Sequence, residues 1–151
     1  MGPVHNFTIL ADYYQFYIQD DDVTFGNLSD AWTPEAVSRL LAVAPHTVGI
    51  GTVRNTKVVV TVEILEANCE IESGSFDRTN MCSIQIDTGR LVIAGCTDYF
   101  PDAARIPCAP GRYQVLVGYK GLDTVSADGL EGQDSYHIYL WPAIHPDRGA
   151  V

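Results

Sequence analysis

Positive charge is what this chain has least of. Nine Lys and Arg stand against nineteen Asp and Glu over 151 residues, for a formal net charge of −10. The deficit runs the whole length: residues 1–45 carry six acids and one base, and residues 46–151 carry thirteen and eight. Nucleic-acid binding at physiological salt depends on Lys and Arg that displace counterions from phosphate, so this balance argues against direct contact with nucleic acid. Two uses of the surplus stay open. It keeps a cytoplasmic protein in solution, or it serves a basic protein partner or a cation.

Secretion and membrane signals are missing too. The opening MGPVHNFTIL has no basic region followed by a long apolar segment, and no apolar run approaches the roughly 20 residues of a membrane span. The expectation is a cytoplasmic protein without a membrane partner. The four cysteines, Cys69, Cys82, Cys96 and Cys108, form no C-x-x-C pair, which argues against structural zinc and against a redox motif. In a reducing compartment they are expected as free thiols, with two disulfides as the alternative.

Catalytic signatures are equally scarce. His5, His46, His137 and His145 show no H-x-x-x-H spacing, and there is no G-x-S-x-G, phosphate-binding or dinucleotide-binding glycine pattern. Cys96 lies near Asp98, but thiol catalysis needs a histidine beside the sulfur in space. No spacing identifies a reaction and none implies a cofactor, so the expectation is a binding protein rather than an enzyme.

What the chain does have is strands. In Tyr113 to Tyr119 the residues Tyr113, Val115, Val117 and Tyr119 alternate with Gln114, Leu116 and Gly118. Ser135 to Trp141 answers with Tyr136, Ile138 and Leu140 on one face, and Pro142 stops it. Phe7 to Ile18 is rich in aromatic and β-branched residues in two runs around Ala11-Asp12. Thr47 to Val53 is a strand whose Gly49 and Gly51 signal a bend, a bulge or a close backbone approach. After the polar break Arg54-Asn55-Thr56, Lys57 to Leu65 puts Val58, Val60, Val62 and Ile64 on one buried face, as a central strand does.

Asn68 to Asn80 reads as a short strand or a loop. Ser83 to Ala94 reads as a hairpin turning at Asp87-Thr88-Gly89. Gly95 to Pro110 is mostly connection, with a strand fragment near Ile106.

One helix is expected, over Asp30 to Pro45. Thr33 suits the N-cap, Pro34 the first turn and Glu35 the positive end of the dipole, while Val37, Leu40, Leu41 and Ala44 recur at helical spacing. Many short strands and one helix predict an all-β fold: a single domain over residues 1–151, an antiparallel β-sandwich with one short α-helix laid over an edge or end.

Two acidic segments stand out. Asp20-Asp21-Asp22 follows a strand, and Asp123, Asp128, Glu131 and Asp134 lie in a stretch from Gly121 to Pro142 without Lys or Arg. Asp128-Gly129 does not start an EF-hand, because Thr124 and Ser135 would occupy the end ligand positions. A cation held by scattered carboxylates from both segments is one reading; solvated turns whose carboxylates cap backbone amides are the other. Arg54 is expected to pair with one of the local carboxylates.

Three pieces of the first half occur in a familiar order. Tyr14-Gln15-Phe16 after a strand, Trp32-Thr33 with Glu35-Ala36 at the helix start, and Arg54-Asn55-Thr56-Lys57 before a strand resemble the competence protein J family over residues 7–65. In the other half, GCTDYFPDA and the pattern from GLDT through DG to YLWP are similar to uncharacterised bacterial proteins of this size. The first resemblance implies an inhibitor of a DNA-entry nuclease and carries over no functional residue. A nuclease groove attracts phosphate, so on this implication a carboxylate-rich surface competes for it. Asp20, Asp21, Asp22, Asp123, Asp128, Glu131 and Asp134 would then meet a basic nuclease or toxin, with Tyr13, Tyr17 and Trp141 as aromatic anchors. The alternative is a cation- or small-ligand-binding module with residues 121–134 as its mouth.

Overall fold

The computed structural model describes residues 4–22, 24, 28, 30–66 and 73–143. Its strands are β1 (Val4–Leu10), β2 (Gln15–Asp20), β3 (Leu41–Ala44), β4 (Thr47–Gly51), β5 (Lys57–Ile64), β6 (Arg78–Ile86), β7 (Arg90–Gly95), β8 (Ala104–Pro107), β9 (Gly111–Lys120) and β10 (Ser135–Pro142), with one helix, α1 (Pro34–Arg39). They form two five-stranded sheets, β1-β5-β10-β9-β6 and β3-β4-β2-β7-β8, stacked as a sandwich. Among the described pairings all are antiparallel except β5 with β10.

Alternation placed the core correctly. Tyr113, Val115, Val117 and Tyr119 of β9, Tyr136, Ile138 and Leu140 of β10, and Val58, Val60 and Val62 of β5 are all buried in one cluster. Phe16, Ile18, Ile50, Leu91 and Ile93 meet them from the second sheet. Tyr136 is the joint between the layers, with its ring edge-on to Phe16 at 5.9 Å and to Tyr119 at 6.0 Å between centroids. β5 is indeed interior to its sheet, between β1 and β10.

Two expectations fail, each for a non-local reason. The helix is six residues, not sixteen. Thr33 caps it as expected, its Oγ1 accepting from Ala36 N at 3.2 Å. Leu40, however, adopts a left-handed conformation (φ 64, ψ 37) and ends the helix. Leu41–Ala44 then pairs with β4, Leu41 opposite Ile50 and Val43 opposite Val48. The apolar residues from 41 to 44 suit either period, and pairing decides for strand. Val37, which belonged to the apolar stripe, is left exposed.

The second failure is the hairpin. β6 ends at Ile86 in the first sheet and β7 starts at Arg90 in the second, so Asp87-Thr88-Gly89 is a corner between layers. Gly89 has φ 80, and a tight corner uses a glycine just as a hairpin does. Nothing local distinguishes the two. Asn68 to Asn80 falls partly outside the described residues; its end, Arg78 to Asn80, opens β6.

Gly49 and Gly51 are explained by close approach. A Cβ on Gly49 would lie 2.8 Å from Trp32 Cζ2 and 2.9 Å from Leu28 Cδ1, and one on Gly51 would lie 3.0 Å from Leu40 Cα. The bare face of β4 is therefore the seat of the segment that leads into and out of α1. Gly49→Ala is expected to lower stability by about 1 kcal/mol, because both neighbours are side-chain ends that can shift. A thermal melt with tryptophan emission would show the lower Tm together with a changed Trp32 signal.

Cys82, Cys96 and Cys108 are free. Cys69 and His145 lie outside the described residues. Among the described residues no helix is long and apolar enough to cross a membrane.

Candidate partner-binding end of the sandwich

The register separates the two acidic segments. Gln15 of β2 lies opposite Gly51 and Gln19 lies opposite Thr47, so residues 12–14 and 52–55 share one end and Asp20–Asp22 sit at the other. The six residues of β2 set the two ends about 17 Å apart at strand rise. The 121–134 connection belongs to the first end, because Ser135 lies opposite Val59 at the start of β5.

At the far end the aspartates hold the chain's own backbone. Asp20 is fully buried. Its carboxylate accepts from Asp87 N at 2.7 Å, Thr88 N at 3.1 Å and Thr88 Oγ1 at 2.7 Å, which fastens the inter-sheet corner. Asp21 is bridged by Arg90 Nε at 2.6 Å and Arg105 Nε at 3.0 Å. Asp22 accepts from Thr24 N and Oγ1. The expectation that this triplet meets a basic partner is therefore corrected for Asp20 and Asp21: one is inaccessible and the other is neutralised by its own arginines.

His46 stands 3.3 Å from Asp20 and 3.9 Å from Asp87, the one group of metal-ligand types that converges among the described residues. His46 Nδ1 also meets Gln85 O at 2.9 Å, so the group is tied into the corner. Asp123, Asp128 and Asp134 do not join Asp20–Asp22 in any such group. The scattered-carboxylate cation site is not assembled.

Burial pushes the Asp20 carboxyl up, but the bonds from Asp87, Thr88 and Asp21 outweigh it and hold the group below its ordinary value. A depressed carboxyl stabilises the fold above the unfolded value of about 4, and the contribution is lost as pH falls through the folded value. Asp20→Asn is expected to cost about 1–2 kcal/mol at neutral pH. Urea denaturation should show the gap to the parent chain constant from pH 8 to 5 and closing below about pH 4.

At the other end the side chains are aromatic and open. Tyr13 and Tyr14 form a short turn with φ 62 and φ 60, a left-handed conformation rare for aromatic residues. Tyr13 is 70 % exposed and Tyr14 45 %. Together with Gln15, Trp32, Val37, Leu40, Gly51 and Thr52 they line a groove of about 540 Å³. Gly129 of the acidic connection packs against Tyr14, since an added Cβ would fall 2.7 Å from its hydroxyl. Asn55 N donates to Gly129 O at 2.7 Å. Leu130, the next residue along the connection, is half exposed.

Asp123, Asp128 and Glu131 are exposed on that connection. The hydroxyl of Ser126 and the N–H of Leu130 hold the Asp128 carboxyl below its ordinary value, so it stays charged. Asp134 is not among them. Its side chain is fully buried, 2.7 Å from Arg54 Nε and 2.5 Å from the Tyr136 hydroxyl, which donates to it. Arg54 thus has the carboxylate partner the sequence led us to expect. Tyr136 also accepts from Val53 N at 3.0 Å, and burial with that carboxylate drives its hydroxyl far above the ordinary range.

Of the proposed anchors, only Tyr13 is freely exposed. Tyr17 is half-buried on the outer face of β2, its hydroxyl pushed up by burial and then by Cys96 and Asp98. Trp141 is buried at the opposite end of β10, which corrects its reading as an anchor. Tyr14, Trp32, Val37 and Leu130 were not singled out from composition. Their signal was the pairing of motifs: Tyr14-Gln15 and Trp32, which stand apart in sequence, line one groove, whereas Arg54 lines a separate depression with Leu130 and Glu131. Desolvation, and then Asp12, push the Cys96 thiol up, away from the thiolate that thiol catalysis uses.

Two solved proteins share this fold. One is ComJ from Bacillus subtilis, an inhibitor of the DNA degrading activity of NucA, with a TM-score of 0.68 at 18 % identity over 93 % of this chain and 96 % of that one. The other is the crocagin biosynthetic gene J protein, with a TM-score of 0.65 at 20 % identity over 95 % and 99 %. No family model and no curated protein sequence matches the chain. At these identities the likeness establishes the sandwich and its extent.

Proposed function

We propose that the chain is a non-enzymatic inhibitor that acts in the cytoplasm by binding a basic nuclease, without touching nucleic acid itself. The observation that carries this reading is the open aromatic end: Tyr13, Tyr14 and Val37 are exposed along one groove, and Gly129 of the connection that bears the exposed Asp123, Asp128 and Glu131 packs against Tyr14. An apolar centre with a polar rim is the anatomy of a protein interface, and tyrosine is enriched among residues that dominate binding energy. The fold supports it, since ComJ, described as an inhibitor of a nuclease's DNA degrading activity, matches over 93 % of the chain. The three loop carboxylates, not the Asp20–Asp22 triplet, supply the charge on this reading.

The test is retention of nuclease activity from source cells on the immobilised chain, followed by DNA degradation assays with the eluted nuclease. Inhibition at one-to-one stoichiometry is expected, with the association rate falling as salt rises because rim charges act mainly on encounter. Retention of no nuclease, or inhibition that needs DNA contact by the chain, would overturn the reading. Asp123→Asn with Glu131→Gln is expected to slow association about 3- to 10-fold at low salt, with little change in dissociation. Stopped-flow traces at two salt concentrations measure it.

A further inference from the structure

The groove beside the tyrosine turn has a chemistry of its own, which specifies what enters it. Its lining residues include no charged side chain of either sign, so its aromatic rings set its preference. The indole N–H of Trp32 is buried, so the exposed part of that ring is carbon. The Thr52 hydroxyl spends its hydrogen on Arg54 O at 2.8 Å and keeps lone pairs. The Tyr14 hydroxyl lies against Gly129. Apart from Gln15 and the two tyrosine hydroxyls, the side chains facing this space therefore offer mainly carbon, much of it aromatic. An anion would find few partners. A cation finds three aromatic rings, on a chain with net charge −10.

We infer that this groove receives an arginine side chain of the bound protein, its guanidinium against Tyr13, Tyr14 and Trp32. Guanidinium is planar and weakly hydrated, so it stacks on aromatic rings at a lower desolvation cost than an ammonium, and its stem suits Val37 and Leu40. The backbone at Tyr13 and Tyr14 agrees with a built site. Two successive aromatic residues at positive φ cost free energy that a merely structural turn would avoid with glycine or asparagine. The inference rests on the binding function proposed above and names the part of the partner that the groove takes.

The probe is Nα-acetyl-arginine amide, titrated into the intact chain while the two indole N–H signals of Trp32 and Trp141 are followed by NMR. The Trp32 signal is expected to move saturably and the buried Trp141 signal to stay. Affinity should be at least about 5-fold above that for Nα-acetyl-norleucine amide and above that for the lysine analogue. Tyr13→Asn, which keeps a residue tolerant of positive φ, should weaken the arginine probe at least about 3-fold. Equal or tighter binding of norleucine, a preference for inorganic phosphate, or no saturable shift with arginine overturns the inference. The two proposals fail separately: a chain that inhibits the nuclease but ignores the probe loses only the arginine groove, and one that binds the probe but retains no nuclease loses only the function.

Discussion

Asp134→Ala is expected to destabilise the protein by about 3–5 kcal/mol, the largest loss for any single side chain at the tyrosine-turn end of the sandwich. The carboxylate is fully buried and serves two partners, Arg54 Nε at 2.7 Å and the Tyr136 hydroxyl at 2.5 Å. Removing it leaves a guanidinium that is 14 % exposed without its counter-charge, and a buried phenol without its acceptor. Both desolvation costs are then uncompensated. The effect of removing the whole group should be much smaller. Arg54→Met with Asp134→Leu and Tyr136→Phe is expected to lie within about 2 kcal/mol of the parent, since apolar replacement of a buried ion pair is often neutral. Urea denaturation decides this through Cm at constant m. A single-variant loss below about 1 kcal/mol would mean that water enters the triad and screens it.

On the proposed nuclease-binding function, Tyr13→Asn is expected to weaken the complex by about 30-fold, or about 2 kcal/mol, while leaving the free protein as stable or slightly more so. The two readouts move apart for a stated reason. The ring is 70 % exposed, so it contributes little to the core. Its backbone sits at φ 62, which asparagine tolerates better than tyrosine. In a complex the same ring is covered and loses its hydration. Isothermal calorimetry gives the affinity and a thermal melt the stability. Parallel loss in both would mark Tyr13 as a folding residue and move the interface elsewhere.

The core was legible because alternation is local. Val58, Val60 and Val62 declare a buried face from five consecutive residues, whatever they later pair with. Which sheet a strand joins is another matter. The Asp87-Thr88-Gly89 corner and a hairpin turn ask the same of the chain, and only Asp20, 67 residues earlier, separates them by capping the corner. The helix was over-extended because Leu41–Ala44 satisfies a helical stripe by itself and β3 only in the presence of β4. Counting charges failed at the Asp20–Asp22 triplet in the same way. Arg90 and Arg105 lie 69 and 84 residues from Asp21, and composition cannot assign them to it. At the aromatic end the sequence exposes Tyr13 by itself, whereas Trp32 and Tyr14 gain their meaning only from the fold that brings them to one groove.

The position of β10 carries a consequence for biosynthesis. It occupies an interior place between β5 and β9, and its partner β5 runs parallel to it across seventy intervening residues. Until that segment leaves the ribosome, β5 and β9 each present an unsatisfied edge, and the Tyr136 ring that plugs the gap between layers is still untranslated. A nascent chain stalled before residue 135 is therefore a substrate for chaperones, and the loop that bears Asp128 takes its shape only once β10 has been made.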